Sequence, residues 1–295
     1  MDILSFLSPY PDPVVYFVPF FILLIIVELI INYRSNVKIH DPKDSMASIG
    51  MGIGSVILGV GVKATAFLIF TFLHQFAIFE IGWAWWAWIL ILFADDFSFY
   101  WHHRLSHQIR VLWAAHVNHH SSVNYNLAVA LRQSWVEIFY KYIFWMWLPI
   151  IGFEPIMIMM MMSVSLIYQF WIHTRTIKSL GPLEWVLNTP SHHRVHHASD
   201  VKYLDRNHAG ILIIWDRMFG TFQKEEEDPT FGITKNIETY NLFEIAFHEY
   251  KALWKDVKNA KTFKDKINYL IMPPGWSPDG STKTADELRE ELGLK

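Results

Sequence analysis

Twelve of the fifteen histidines fall between His102 and His208, and most recur at steps of three or four residues. The first set is His103-x-x-x-His107. The second is His116-x-x-His119-His120, and the third is His193-x-x-His196-His197, with His192 directly before it and His173 alone upstream. Steps of three and four bring side chains onto one face of a helix. Imidazoles on one face can converge on a metal ion, and they suit iron, copper, zinc and nickel. Three sets exceed the needs of one tetrahedral ion, so the spacing points to a two-metal centre. The expected ligands are His103, His107, His116, His119, His120, His193, His196 and His197, with His192 an extra ligand or a neighbour. His173, read on position alone, is structural. His102 points away from its stripe, and His40, His74 and His248 have no histidine at ligand spacing. Asp96, Tyr100, His103 and His107 form one stripe, so Asp96 is expected to accept an N–H from a ligating imidazole. Asp205 and Asp216 are further candidates for that supporting role, Asp216 also as a structural ion pair with a neighbouring base.

Composition limits what can surround such a centre. The chain is 295 residues long, 52% apolar and 16% aromatic, with positive mean hydropathy. Val14–Tyr33, Met46–Leu73 and Gly82–Trp101 are apolar stretches near the length of about 20 residues that a membrane-spanning helix needs. Trp135–Leu148 and Ile156–Ile172 flank a break at Ile151–Pro155 and read as a helical hairpin. Arg34, Lys38 and Lys43 follow the first stretch, whereas residues 74–81 hold no lysine or arginine, which puts the first loop in the cytoplasm. Carried through, that topology delivers every histidine set to the cytoplasmic side. Lys63 is the misfit, an amine inside the second apolar stretch.

The expected fold is therefore all-α: a multi-pass integral membrane protein with a cytoplasmic histidine-rich helical cap. Its segments are three transmembrane helices in 1–101, the first two histidine sets in 102–134, a transmembrane hairpin in 135–172, the third set in 173–222 and an amphipathic helical tail in 223–295. Thr189 and Pro190 mark a helix start before the third set. In the tail, Leu242–Val257 is amphipathic, Pro273-Pro274-Gly275 ends a second helix, and Thr284 with Glu287 forms a capping box. The start of the chain lacks the basic residues of a signal peptide, Asp2 and Asp12 being its only charges, so the first helix reads as a retained anchor.

Several chemistries are excluded. A net charge of −3 gives no case for a nucleic-acid partner. With no cysteine, there are no disulfides or thiolate metal sites. His-Glu-x-x-His, the Gly-x-Ser-x-Gly elbow and a phosphate-cradling glycine loop are all absent. Gly50-Met51-Gly52-Ile53-Gly54 lies in an apolar helix and suits close helix packing. The Met157–Met162 run is lipid-facing or core filling.

From about Asp96 to Phe222 the chain resembles the fatty acid hydroxylase (sterol desaturase) superfamily, in which HxxxH, HxxHH and HxxHH motifs surround two irons. Within it, the sequence is most similar to the alkylglycerol monooxygenases and their bacterial relatives, through His119-His120-Ser121-Ser122, Tyr125-Asn126-Leu127, Ala130–Ser134, Phe170–Thr174, Leu180–Trp185, Asn188–Arg194 and Trp215–Phe222. The resemblance adds His173 to the metal centre. It implies two ferrous ions, O₂, hydrogen abstraction from an unactivated C–H bond of a lipid (ether lipid, sterol or fatty acyl), and an external reductant such as a tetrahydropterin, a ferredoxin or a cytochrome. The implied partners are a membrane lipid and a cytosolic electron donor. The implied location is the cytoplasmic face of a bacterial inner membrane or the endoplasmic reticulum. Gln108 stands where alkylglycerol monooxygenases carry Glu, and His208 where relatives usually have Tyr. The same scaffold could desaturate, and rivals of another class are a histidine-rich metal transporter and a zinc-binding structural or hydrolytic membrane protein.

Overall fold

The computed structural model describes residues 12–35 and 39–294; Asp2 and Lys38 lie outside them. Among the described residues there are helices, short 3₁₀ turns and two isolated bridges, with no strand. The all-α expectation is met. Helices α1 (Pro13–Arg34) and α2 (Pro42–His74) are long and apolar enough to cross a membrane. Their outward faces are bare apolar surface, with Ile22 54% exposed, Val56 70% and Leu68 67%. So large an unpartnered apolar surface is a mark of contact with lipid or protein.

Both long helices start with proline after an aspartate cap. Asp12 accepts from the Val14 amide at 3.0 Å, and Asp41 accepts from the Lys43 and Asp44 amides at 2.7 and 3.1 Å. Asp12 also explains Lys63. The ammonium faces the protein interior and reaches Asp12 Oδ2 at 2.8 Å, while Ser163 donates to Oδ1 at 2.8 Å. The glycines of α2 let neighbours approach. A Cβ on Gly52 would sit 2.7 Å from the Leu131 carbonyl oxygen, and one on Gly54 2.5 Å from the Trp135 indole nitrogen.

Helix α3 (Trp85–Gln108) carries the first histidine set at its C-terminal end and α4 (Arg110–His120) carries the second. The two are separated by one residue, Ile109. Over 135–172, where a helical hairpin is expected, the described residues hold one long helix. The hairpin's second arm is α6 (Pro155–Trp171), whose Met157, Met159 and Met161 fill the core against Phe70, Ile91 and Leu148. The first arm is not one helix but two 3₁₀ turns, Glu137–Phe139 and Lys141–Trp145, followed by α5 (Trp147–Ile151). The reason is polar anchoring that an unbroken helix would not satisfy. Ser134 Oγ takes the Val136 and Glu137 amides, Trp145 donates to Asp95 at 2.7 Å and Trp147 to Ser98 at 2.9 Å.

The third set lies on α7 (Pro190–His196). Pro190 opens it as expected, but the Thr189 hydroxyl bonds Glu184 and Ser191 instead of capping. After α8 (Ile214–Phe219), the tail supplies α9 (Leu242–Asn259), α10 (Phe263–Ile271) and α11 (Ala285–Glu291). The expected capping box at Thr284 and Glu287 is present. Helix α9 is laid against α4 and fixed there by Arg110, which binds Glu249 at 3.0 Å and Asp256 at 2.7 Å.

One buried pair ties α2 to the histidine cap. Arg132, 1% exposed, donates to Asp44 at 3.1 Å, to the Asn118 carbonyl at 3.0 Å and to Ser121 at 3.1 Å. Removing one partner of a buried pair strands the other charge. Asp44→Ala is therefore expected to cost about 3–5 kcal/mol, read as a lowered unfolding temperature of the detergent-solubilised protein. Lys283→Ala, which breaks the exposed pair with Glu291, should shift it hardly at all.

Candidate metal centre

Nine buried histidines form two adjacent groups. His103, His107, His116, His120 and His196 make the first; His119, His173, His193 and His197 make the second. Within each group the donor atoms all lie within 4.8 Å of one another. Helices α3 and α4 supply four donors of the first group, and α7 supplies the fifth. Helix α4 also contributes to the second, so His119 and His120, side by side in sequence, serve different groups. His196 and His197 divide the same way. The paired His-His of the second and third sets is what places two groups next to each other.

The ring nitrogens meet face to face. His116 Nε2 lies 3.0 Å from His103 Nε2 and 3.2 Å from His120 Nε2. In the second group, His173 Nε2 lies 3.2 Å from His119 Nε2 and 2.9 Å from His193 Nε2, which is 3.2 Å from His197 Nε2. The outward nitrogens decide the protonation. Nδ1 of His103 donates to the His208 carbonyl (2.8 Å), that of His119 to the Arg132 carbonyl (3.3 Å), that of His173 to the Gln169 carbonyl (2.7 Å) and that of His196 to the Arg206 carbonyl (2.9 Å). A carbonyl only accepts, so in these four rings the proton sits on Nδ1 and, in the neutral ring, Nε2 presents a lone pair. Burial, and after it repulsion from neighbouring imidazoles, holds His119, His120, His196 and His197 well below the ordinary histidine pKa. They are neutral at pH 7. Lone pairs facing one another at such distances repel unless a cation lies between them, and His107 Nε2 and His196 Nε2 are buried with no hydrogen-bond partner. The donor set thus fits metal ions.

A four-residue loop holds most of the first group. Asp205 accepts from His107 Nδ1 at 3.2 Å, and the Arg206 and His208 carbonyls hold His196 and His103. Asp205 and Asn207 have positive φ (53° and 55°), a conformation that Asp and Asn tolerate better than most residues. Asn207 locks it by donating to the His192 and Gln223 carbonyls and accepting from the Gln223 amide. Asp216 accepts the His208 and Ala209 amides and the Thr221 hydroxyl.

These positions sort the sequence expectations. The eight histidines of the three sets come together, joined by His173. His192 lies outside both groups, its ring against Phe222. Asp96 does not reach an imidazole. Its oxygens take the Ile211 and Leu212 amides and the Trp215 indole at 2.6–2.9 Å, clasping that chain segment to α3. Asp205 does reach a grouped imidazole, that of His107, and Asp216 takes two backbone amides and the Thr221 hydroxyl instead of pairing with Arg217. Glu137 went unnoticed. It accepts from His116 Nδ1 at 3.0 Å with one oxygen, while its other oxygen stands 3.6 Å from His102 Nε2. Its signal in the sequence is a lone acid in an apolar stretch. His208 is fully buried beside the first group, its ring centroid 5.1 Å from that of His107.

Residues 88–221 match the fatty acid hydroxylase family. All nine grouped histidines lie within the matched segment, so the resemblance read from their spacing is borne out. The chain is 37% identical over 275 residues to an alkylglycerol monooxygenase of Homo sapiens, covering 92% of this chain and 62% of that protein. It is 36% identical over 270 residues to the Xenopus tropicalis protein of that name (91% and 60%). An ornithine lipid hydroxylase of Rhizobium tropici is 26% identical over 161 residues (54% and 49%). The chain thus spans about three fifths of the length of the alkylglycerol monooxygenases from these two vertebrates. No solved structure matches it. Within the matched segment, Glu137→Ala should remove the acceptor that orients His116 and lower metal affinity roughly 10–100-fold, measured by chelator competition. Glu137→Gln, which keeps an accepting oxygen, should lose less.

Proposed function

We propose that the protein is a membrane-bound non-haem di-iron monooxygenase that hydroxylates an unactivated C–H bond of a lipid. The observation that carries this reading is the pair of adjacent, wholly imidazole donor groups beside a cavity. Of the nine histidines, His103, His116, His119 and His193 line that cavity. Two irons held by the groups would supply the reduction of O₂ and the abstraction of hydrogen, which no side chain can perform. The balance is one oxygen atom into the alcohol and one into water, with two electrons from an external reductant. A tetrahydropterin, a ferredoxin or a cytochrome is the class of donor required.

The chain's own residues do the rest. Nδ1–H bonds to Arg132, Gln169, Arg206 and His208 carbonyls, and to Glu137 and Asp205, fix which nitrogen faces inward. Nine neutral ligands cancel none of an ion's charge. Glu137 and Asp205 are the carboxylates bonded to the ligating rings, and they supply compensating charge one bond away. Phe99, Trp145, Met162 and Leu166 line the cavity with apolar surface for a hydrocarbon chain. The exposed apolar faces of α1 and α2 support a location in the bilayer. The lysine and arginine distribution supports a cytoplasmic site. Related alkylglycerol monooxygenases and an ornithine lipid hydroxylase support a lipid substrate, an ether lipid foremost.

The test is metal analysis by mass spectrometry with Mössbauer spectra of protein grown on iron-57, followed by incubation with ether lipids, O₂ and reductant. Two irons per chain are expected, falling towards one in His120→Ala and in His197→Ala, with an alcohol as product. Zinc alone, after anaerobic preparation with iron supplied, would overturn the reading. An alkene in place of the alcohol would make the protein a desaturase on the same scaffold.

A further inference from the structure

The C-terminal half of α9 and the whole of α10 carry a surface that the metal centre does not use. Between Lys251 and Met272 the chain holds six lysines against two aspartates, in a protein of net charge −3. Both aspartates are engaged: Asp256 binds Arg110 at 2.7 Å, and Asp265 accepts from the Thr262 hydroxyl at 2.7 Å. Of the lysines, Lys251 alone has an ion-pair partner among the described residues, Glu244. Lys255, Lys258, Lys261 and Lys264 are exposed. Bare apolar side chains run between them. Phe263 (78% exposed), Ile267 and Ile271 (53%) recur at steps of four and form one stripe along α10. On α9, Trp254 is 70% exposed, with Lys251 three residues before it and Lys258 four after it. The opposite side of α10 is already occupied, because the Tyr269 ring packs on Trp276 and lies under the Arg110 guanidinium. The stripe is therefore a second face of a helix whose inner face is packed.

The start of α9 fixes where this surface lies. Leu242 packs against α2 at Gly50, where a Cβ would sit 2.9 Å from the leucine Cδ1, and Ile245 and Ala246 share a buried cluster with Ala47 and Met51. On the same turns of α2, Met46 and Ile53 face outwards as bare apolar surface. The tail thus joins α2 near its Pro42 end, the end that the lysine and arginine distribution puts on the cytoplasmic side. Resting on the membrane-bound reading, we propose that α10 and the end of α9 lie in the head-group layer of an anionic leaflet. The Phe263–Ile271 stripe and Trp254 enter the acyl boundary, and the unpaired lysines sit on lipid phosphates. A lysine can lay its aliphatic stem along apolar surface and keep its ammonium among phosphates. An apolar stripe edged by lysines is the pattern of a helix lying in an interface plane, and tryptophan suits the same level. An acidic protein would match the lysines, but continuity with the bare face of α2 favours lipid. Through Arg110, which binds Glu249 and Asp256 of α9, the anchorage reaches α4 and its three histidines.

Because the chain has no cysteine, Phe263→Cys takes a single bimane fluorophore, and Val56→Cys on the outer face of α2 takes one for comparison. Each labelled protein is placed in phosphatidylcholine–phosphatidylglycerol nanodiscs in which one lipid or the other carries an acyl-chain nitroxide, at equal mole fraction. The lipid nitroxide is expected to quench the label at position 263, and iodide in the water to quench it little. Nitroxide on phosphatidylglycerol should quench it about threefold or more beyond nitroxide on phosphatidylcholine, within the roughly fivefold per lysine that an anionic surface provides. Lys255→Gln, Lys258→Gln, Lys261→Gln and Lys264→Gln together should bring the two lipids to parity, with the unfolding temperature unchanged. If iodide alone reaches the label at position 263 while lipid quenches the one at position 56, the proposal is overturned and the bilayer location stands, leaving the lysines to an acidic protein. Equal quenching by the two lipids with the lysines intact would overturn it as well. So would a preference for phosphatidylglycerol that survives the four substitutions. A label at position 56 that lipid does not reach would sink the membrane-bound reading, and this proposal with it.

Discussion

A neutral imidazole can offer a lone pair inward only if its proton is held outward, and that constraint organises the structure. Six of the nine grouped histidines have Nδ1 bonded to an acceptor: four backbone carbonyls and the carboxylates of Glu137 and Asp205. Each acceptor must then be placed in turn. Arg132 is held by Asp44, Gln169 by the α6 helix, and the Asp205–His208 loop by Asn207 and Asp216. The break in the 3₁₀ arm that brings in Glu137 obeys the same requirement. What looks like irregular chain around the centre is the set of brackets that hold six of the nine rings at one tautomer.

The helical parts of this arrangement were legible in the sequence because they follow a period. Spacing of three and four residues gave the three sets, apolar length gave α1, α2 and α6, and amphipathic spacing with stop and cap residues gave the tail. Asp96 shows where period misleads. It shares the stripe of His103 and His107, yet a carboxylate two turns away meets first the backbone amides of Ile211 and Leu212, and those satisfied it. His192 fails similarly, since four histidines on one short helix cannot all face one centre, and its ring turned to Phe222. Glu137 and the Asp205–His208 loop had no period to announce them. Their roles depend on contacts between segments far apart in the chain, which one-dimensional patterns do not carry.

Lys63 illustrates the reverse case. Inside an apolar stretch it looked like a fault, and the explanation came from Asp12, 51 residues away, which caps α1 while receiving the ammonium. The Gly52–Gly54 stretch, by contrast, was readable on its own, because a residue without Cβ in an apolar helix already says that something packs closely there. Leu131 and Trp135 are what do.

The sequence distances between ligands carry one more consequence. In the first group, His103 and His116 are 13 residues apart, whereas His119 and His173 in the second are separated by 54. An ion shared across such a span closes a long loop in the chain, as a disulfide does, and restricts the unfolded ensemble accordingly. This chain has no cysteine. Any bound metals are therefore its cross-links as well as its reagents, so that metal binding and the stability of the fold become two readings of one equilibrium.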